Sequence, residues 1–155
     1  MIVSFVEVIV EVHGQCESGW MIYNNICYKI VDASSGDRII YDSATTNCNG
    51  YGGGLAKVNS PQIRMFLVGY MDQTKDYWIG LKDNIGTNDK LGYEWAIDNE
   101  VANYFTDWGN GEPDYTFERC VTYEYTNSNW RWHDVKCHGM LVSQKKAYYI
   151  CQKGS

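Results

Sequence analysis

Apolar and polar residues alternate on both sides of Asn24 and Asn25 in the stretch CESGWMIYNNICYKI. A period of two is that of a strand with one buried face, and the adjacent asparagines interrupt it where a tight turn is needed. The pattern predicts a hairpin of two short strands whose ends Cys16 and Cys27 can clasp. Residues around Ala44 to Cys48 then suit a short helix, which the glycines from Gly52 to Gly54 would end before a strand from Leu55 to Val58. Ser60 followed by Pro61 is an N-cap ahead of a first-turn proline. Ile63, Phe66, Leu67 and Tyr70 recur beyond it at helical spacing, which predicts a second helix.

From Asp76 the period returns to that of strands. DYWIGLKD predicts a buried strand by its aromatic and β-branched content, and the polar run from Asn84 to Lys90 a loop. A short strand from Tyr93 to Ala96 leads into a long irregular segment that its aromatics must anchor from within. Long segments of this kind are usually functional. Three strands finish the chain, at Cys120 to Tyr125, within NWRWHDV, and at Tyr148 to Gln152.

Residues 1–14, MIVSFVEVIVEVHG, read as an N-terminal extension or strand, since alternating valines suit a strand. As a signal peptide the segment is poor, lacking a basic start and carrying Glu7 and Glu11 within its apolar run. It is too short to span a bilayer.

A chain of 155 residues has the length of one domain, and 45% hydrophobic residues are enough for a packed core. The net charge of -6, with no run of Lys or Arg, would repel phosphate backbones and anionic lipid, which argues against nucleic acid as a partner. Six cysteines without a CxxC pair favour disulfides over zinc and place the protein in an oxidising compartment, secreted or extracellular. Spacing alone leaves their pairing open, and an export signal would lie outside this sequence.

Taken in order, GWMIYNNICYKI, GGGLAKVNS, YWIGLKD, WGNGEPD and WRWHDVKC resemble successive motifs of the C-type lectin-like domain, from the opening hairpin and the WIGL core strand to the calcium loop and the WND segment. The resemblance covers residues 15–153. It implies an α+β fold in which two helices pack on small antiparallel sheets, with a long irregular calcium-binding loop region. It also implies three disulfides, Cys16 with Cys27, Cys48 with Cys151, and Cys120 with Cys137.

The same resemblance answers why GNGEPDYTFERC and WRWHDVKC crowd four acids together. It implies calcium as cofactor, with Glu112, Asp114, Glu118 and Asp134 as metal ligands and Pro113 in the cis form. Calcium takes about six to eight oxygen ligands, which carboxylates on an irregular loop beside a rigid strand can supply. In lectins of this family two neighbouring sugar hydroxyls complete the metal's shell, so the implied partner is carbohydrate with vicinal hydroxyls, mannose-like or galactose-like. Glu112, Asp114, Glu118, His133, Asp134 and Tyr115 would contact the sugar.

Three departures stand out. Glu112-Pro113-Asp114 offers acceptors and no amide donor, where the family's Glu-Pro-Asn and Gln-Pro-Asp provide one. His133 stands where the WND motif has asparagine, and an imidazole is a poor ligand for a hard cation. Arg119 replaces an acid that would serve a second calcium, so an auxiliary site is not expected.

Other readings compete with calcium-dependent sugar binding. A calcium-independent domain binding a protein partner is the alternative that His133 favours. A glycosidase or metal hydrolase would also pair acids near a histidine, but the exposed acids of the lectin loop already have an explanation, so no enzyme is expected. His133 and His138 flank Cys137 and read as surface histidines, with no third zinc ligand. Trp78, Trp95, Trp108, Trp130 and Trp132 read as core and not as a sugar-stacking platform.

Overall fold

The computed structural model describes residues 14–86, 90–114, 119–137 and 144–155. The opening hairpin is β1 (Met21–Tyr23) and β2 (Ile26–Val31). Asn24 and Asn25 between them take φ of 49° and 60°. A two-residue turn that follows the twist of its strands needs two left-handed residues, and asparagine tolerates that conformation well. The Cys16–Cys27 disulfide clasps the hairpin.

Helix α1 (Tyr41–Gly50) is longer than the short helix expected around Ala44 to Cys48, because Tyr41, Ala44 and Cys48 form one buried stripe that begins earlier. Strand β3 (Gly54–Leu55) is shorter than expected. The Lys57 N–H donates to Oε1 of the Gln152 side chain at 2.6 Å, so the backbone ladder stops before Val58. Helix α2 (Pro61–Val68) starts as its sequence predicts, with the Ser60 hydroxyl accepting from the Ile63 N–H at 3.2 Å. It ends at Gly69, which leaves Tyr70 outside the helix and exposed.

The remaining strands are β4 (Tyr77–Asp83), β5 (Tyr93–Trp95), β6 (Cys120–Thr126), β7 (Asn129–Val135) and β8 (Tyr148–Gly154). They join in the order β1-β2-β8-β4-β6-β7, with β3 on β8 and β5 on β4. The expected small antiparallel sheets therefore meet along one path, through a parallel pairing of β4 with β8. In β4 the glycine of WIGL has a steric reason: a Cβ on Gly80 would lie 2.6 Å from the Leu55 carbonyl oxygen.

The core lies between α2 and the strands and includes Tyr77, Ile79, Leu81, Trp95, Trp130 and Trp132. Trp78 belongs to a second cluster with Tyr41, Cys48 and Cys151, and its indole N–H donates to the Ile39 carbonyl at 2.8 Å. Trp78, Trp95, Trp130 and Trp132 are buried, and Trp108 packs against the core, so these rings are packing elements. Cys48–Cys151 ties α1 to β8, and Cys120–Cys137 closes the β6–β7 hairpin at its base. Among the described residues no helix is long and apolar enough to cross a membrane.

Candidate metal centre

Strand β7 alternates half-buried and buried positions, so Trp130, Trp132 and Asp134 share its inner side while Arg131 and His133 take the other. Asp134 is thus a buried carboxylate at the end of a tryptophan face. A second segment runs alongside. The Asp107 carbonyl accepts from the Trp132 N–H at 2.8 Å, the Gly109 N–H donates to the Trp132 carbonyl at 2.9 Å, and the Glu112 N–H donates to the Gly109 carbonyl at 3.0 Å. Gly111 takes a φ of 82°, and the Glu112–Pro113 bond is cis, as the family resemblance implied.

This turn brings one oxygen each of Glu112, Asp114 and Asp134 within 4.8 Å of one another. The Asp114 N–H donates to Asp134 Oδ1 at 3.0 Å, which fixes the loop to the strand end. Asp134 is buried, Glu112 is half-buried and Asp114 is exposed. Burial first, then a hydrogen bond with the Asp134 carboxyl and the charges of Asp134 and Asp114, push the Glu112 carboxyl up from 4.5 to about 8. Among the described residues no N–H or hydroxyl group reaches its buried Oε2.

These observations test the fit of a cation. Three converging carboxylates make an oxygen-only set that suits a hard ion such as calcium. The exposed side chain of Asp114 leaves one side of the cluster open to solvent.

His133 adjoins the cluster. Its Nδ1 lies 3.3 Å from Glu112 Oε1, and its Nε2 lies 3.3 Å from the Thr126 hydroxyl oxygen. Both ring nitrogens thus have protein partners, and the ring touches the acids through Glu112. Gly109 makes room for this: a Cβ there would sit 3.1 Å from the imidazole and 3.2 Å from Glu112 Cγ. Arg119 hydrogen-bonds through its backbone to Val135 and Asp83, and its guanidinium lies against Gly86.

Of the residues that the sequence marked, Glu112, Asp114, Asp134 and His133 come together, whereas Tyr115, Glu118 and His138 lie outside the described residues. The reading of the sequence passed over Gly109, Thr126 and Asp107. Gly109 had a usable signal, since it directly follows Trp108 in the WGNGEPD motif, where a side chain would collide with the site.

The family model described as the lectin C-type domain matches residues 37–153. The chain belongs to the C-type lectin domain family. The members of this family that it matches are binding proteins and not enzymes. The C-type lectin domain family 6 member A of Mus musculus is 30% identical over 139 residues, covering 87% of this chain and 63% of that protein. The family 4 member A of Rattus norvegicus is 26% identical over 138 residues, covering 88% and 53%. This lectin domain therefore spans between about half and two thirds of the length of those relatives. A crystal structure of the C-type lectin domain of murine dendritic cell inhibitory receptor 2 in complex with N-glycan superposes with a TM-score of 0.78 at 25% identity, covering 91% of this chain and 100% of that one. A calcium-independent type II antifreeze protein shares the fold, with a TM-score of 0.72 at 20% identity over 90% of this chain and 95% of its own.

Proposed function

We propose that this lectin domain binds carbohydrate in a calcium-dependent way, with Glu112, Asp114, Glu118 and Asp134 as the metal ligands, in a secreted or extracellular setting. The observation that carries the reading is the convergence of one oxygen each of Glu112, Asp114 and Asp134 within 4.8 Å of one another. When bound, calcium would supply a hard positive centre to which two neighbouring sugar hydroxyls can add their oxygens. Glu112 and Asp114 then act as acceptors for the hydroxyl protons, and Asp134 stays tied to the Asp114 backbone. His133 supports the ligand through Glu112, with which its ring is in contact. Tyr115 follows the acidic pair directly and is proposed to lie against the sugar.

The sugar would be one with vicinal hydroxyls, mannose-like or galactose-like, bound weakly because no amide donor accompanies the two acceptors. Calorimetric titration with calcium, followed by a glycan array read with and without chelator, tests this. Calcium binding with chelator-sensitive glycan signal is the expected result. Chelator-resistant binding, or no sugar binding at any calcium level, would transfer the domain to the calcium-independent, protein-binding reading. One observation favours that second reading: His133 holds the position of an oxygen ligand, and both its nitrogens are engaged within the protein.

A further inference from the structure

Asp107 is a buried carboxylate with four polar anchors. Its Oδ2 accepts from Arg64 Nε at 2.5 Å and from the Tyr123 hydroxyl at 2.9 Å, and its Oδ1 pairs with the Arg131 guanidinium. Its backbone carbonyl accepts from the Trp132 N–H at 2.8 Å. Arg64 comes from α2 and also donates to the Asn129 side chain at 2.8 Å and the Trp130 carbonyl at 3.1 Å. Arg131 lies on β7, two positions before His133 and three before Asp134. Tyr123 comes from β6 and is held protonated by burial first and by the Asp107 charge second, so it remains a donor.

A buried charge with this many donors is a fixed point, because moving it would leave a carboxylate and a guanidinium unpaired in a poorly solvated place. It is also the start of the site loop. Directly after it come the Trp108–Trp132 bridge, the Gly109–Trp132 hydrogen bond and the Glu112–Gly109 hydrogen bond. Only that short run of backbone separates the ion cluster from the acids.

We propose that Asp107 is a positioning residue for the metal centre, clamping the loop that carries Glu112 and Asp114 in register with Asp134 on β7. Arg64 extends the clamp to α2, so the helix and the strand are held at the point from which the loop departs. Beyond Asp107 the loop meets β7 through the Gly109–Trp132 hydrogen bond, the Trp108–Trp132 ring contact, the Glu112–His133 contact and the Asp114 N–H on Asp134, and all of these keep their register only while the Asp107 segment keeps its own. The metal readout below rests on the calcium reading; the exchange readout does not.

Amide hydrogen exchange of the chelated domain and calcium affinity by calorimetry, measured on wild type, Asp107→Asn and Phe66→Leu, decide the matter. Phe66→Leu serves as the control, since the ring contacts of Phe66 are with Tyr23, Tyr28 and Tyr70, so its loss weakens α2 packing away from Asp107. Loss of a group that orients metal ligands costs about tenfold to a hundredfold in metal affinity. Asp107→Asn is expected to lose calcium affinity by about that factor and to speed exchange at the Gly109, Glu112 and Asp114 amides relative to the rest of the core. Phe66→Leu, compared at equal loss of thermal stability, is expected to change neither. Unchanged exchange at those amides in Asp107→Asn, or an equal change in the control, would overturn the proposal. If Asp107→Asn does not fold, Arg131→Gln removes one arm from a side chain that is 39% exposed and is expected to raise the same amide exchange. Wild-type protein that binds no calcium would remove the calcium reading and leave the exchange contrast to judge Asp107.

Discussion

His133 Nδ1 lies 3.3 Å from Glu112 Oε1, while the opposite ring nitrogen lies 3.3 Å from the Thr126 hydroxyl oxygen. The histidine that replaces an expected oxygen ligand is therefore a strut between β6 and the acidic loop. The imidazole thus sits at ion-pair distance from the carboxyl that the sequence marks as a metal ligand.

His133→Asn exchanges that strut for a short side chain with a carbonyl oxygen beside the acids. Calcium affinity is expected to rise if the added oxygen ligand outweighs the lost strut, because a hard cation gains more from a carbonyl oxygen than from an imidazole. Calorimetry reads it directly. No change would show that position 133 faces away from the metal and acts only through Glu112.

Glu112 carries the pH dependence. Its folded-state pKa, raised from 4.5 to about 8, means that the metal-free fold holds this proton more tightly than the unfolded chain does. The sign follows from linkage: the contribution is fully present below about pH 4.5 and is lost as pH rises through about 8. Thermal melts with chelator should therefore show the wild type losing stability relative to Glu112→Gln across that window. Calcium must displace the same proton, so its apparent affinity should increase with pH there, with proton release seen as a buffer-dependent heat. Parallel melts of the two proteins would refute the assignment.

Gly109→Ala probes the packing of the site. The added Cβ would meet the imidazole at 3.1 Å and Glu112 Cγ at 3.2 Å, closer than ordinary contacts. Overpacking of this kind costs about 1 to 3 kcal/mol, and here the strain falls on two site residues. Chemical denaturation should show that loss, and calcium affinity should fall with it. An affinity equal to wild type would mean that His133 and Glu112 move aside freely.

Local chemistry made the frame of this fold legible. Asn24 and Asn25 announce a left-handed turn, Ser60 and Pro61 announce a helix start, and the structure uses both as their backbone preferences dictate. The acids of the site were legible only through their resemblance to a family motif, since a run of carboxylates by itself has no geometry. The Asp107 cluster was not legible at all. Its partners Arg64 and Arg131 lie 43 and 24 residues away in sequence, and no periodicity links them. The early end of β3 was hidden for a similar reason, because the side chain that takes the Lys57 N–H belongs to Gln152, 95 residues on.

The disulfides should differ in their worth. Cys48–Cys151 spans 103 residues and Cys16–Cys27 only 11, and the entropy removed from the unfolded chain grows with the closed loop. Replacing both cysteines of the long bond by alanine is expected to cost about 4 to 5 kcal/mol, and of the short bond about 3 kcal/mol or less. Urea denaturation compares them. A larger loss at Cys16–Cys27 would mean that residual structure in the unfolded chain, and not loop length, sets the difference.

Asp114 separates the metal role of the loop from its sugar preference. Its backbone N–H fastens the loop to Asp134 at 3.0 Å, while its side chain is exposed on the open side of the cluster. Asp114→Asn therefore leaves the backbone anchor in place, keeps one carbonyl oxygen for the metal, and adds an amide donor. With two acceptors and no donor, a sugar hydroxyl can give its proton but finds no hydrogen to accept. The substitution recreates the Glu-Pro-Asn sequence that the family resemblance associates with mannose-like sugars. A glycan array with calcium should show weak, mixed binding for the wild type and stronger binding biased to mannose-like ligands for Asp114→Asn. The same array with chelator should be blank for both. Tighter mannose binding that survives chelation would place the sugar away from the three carboxylates, and an unchanged selectivity would show that the amide does not reach the hydroxyl.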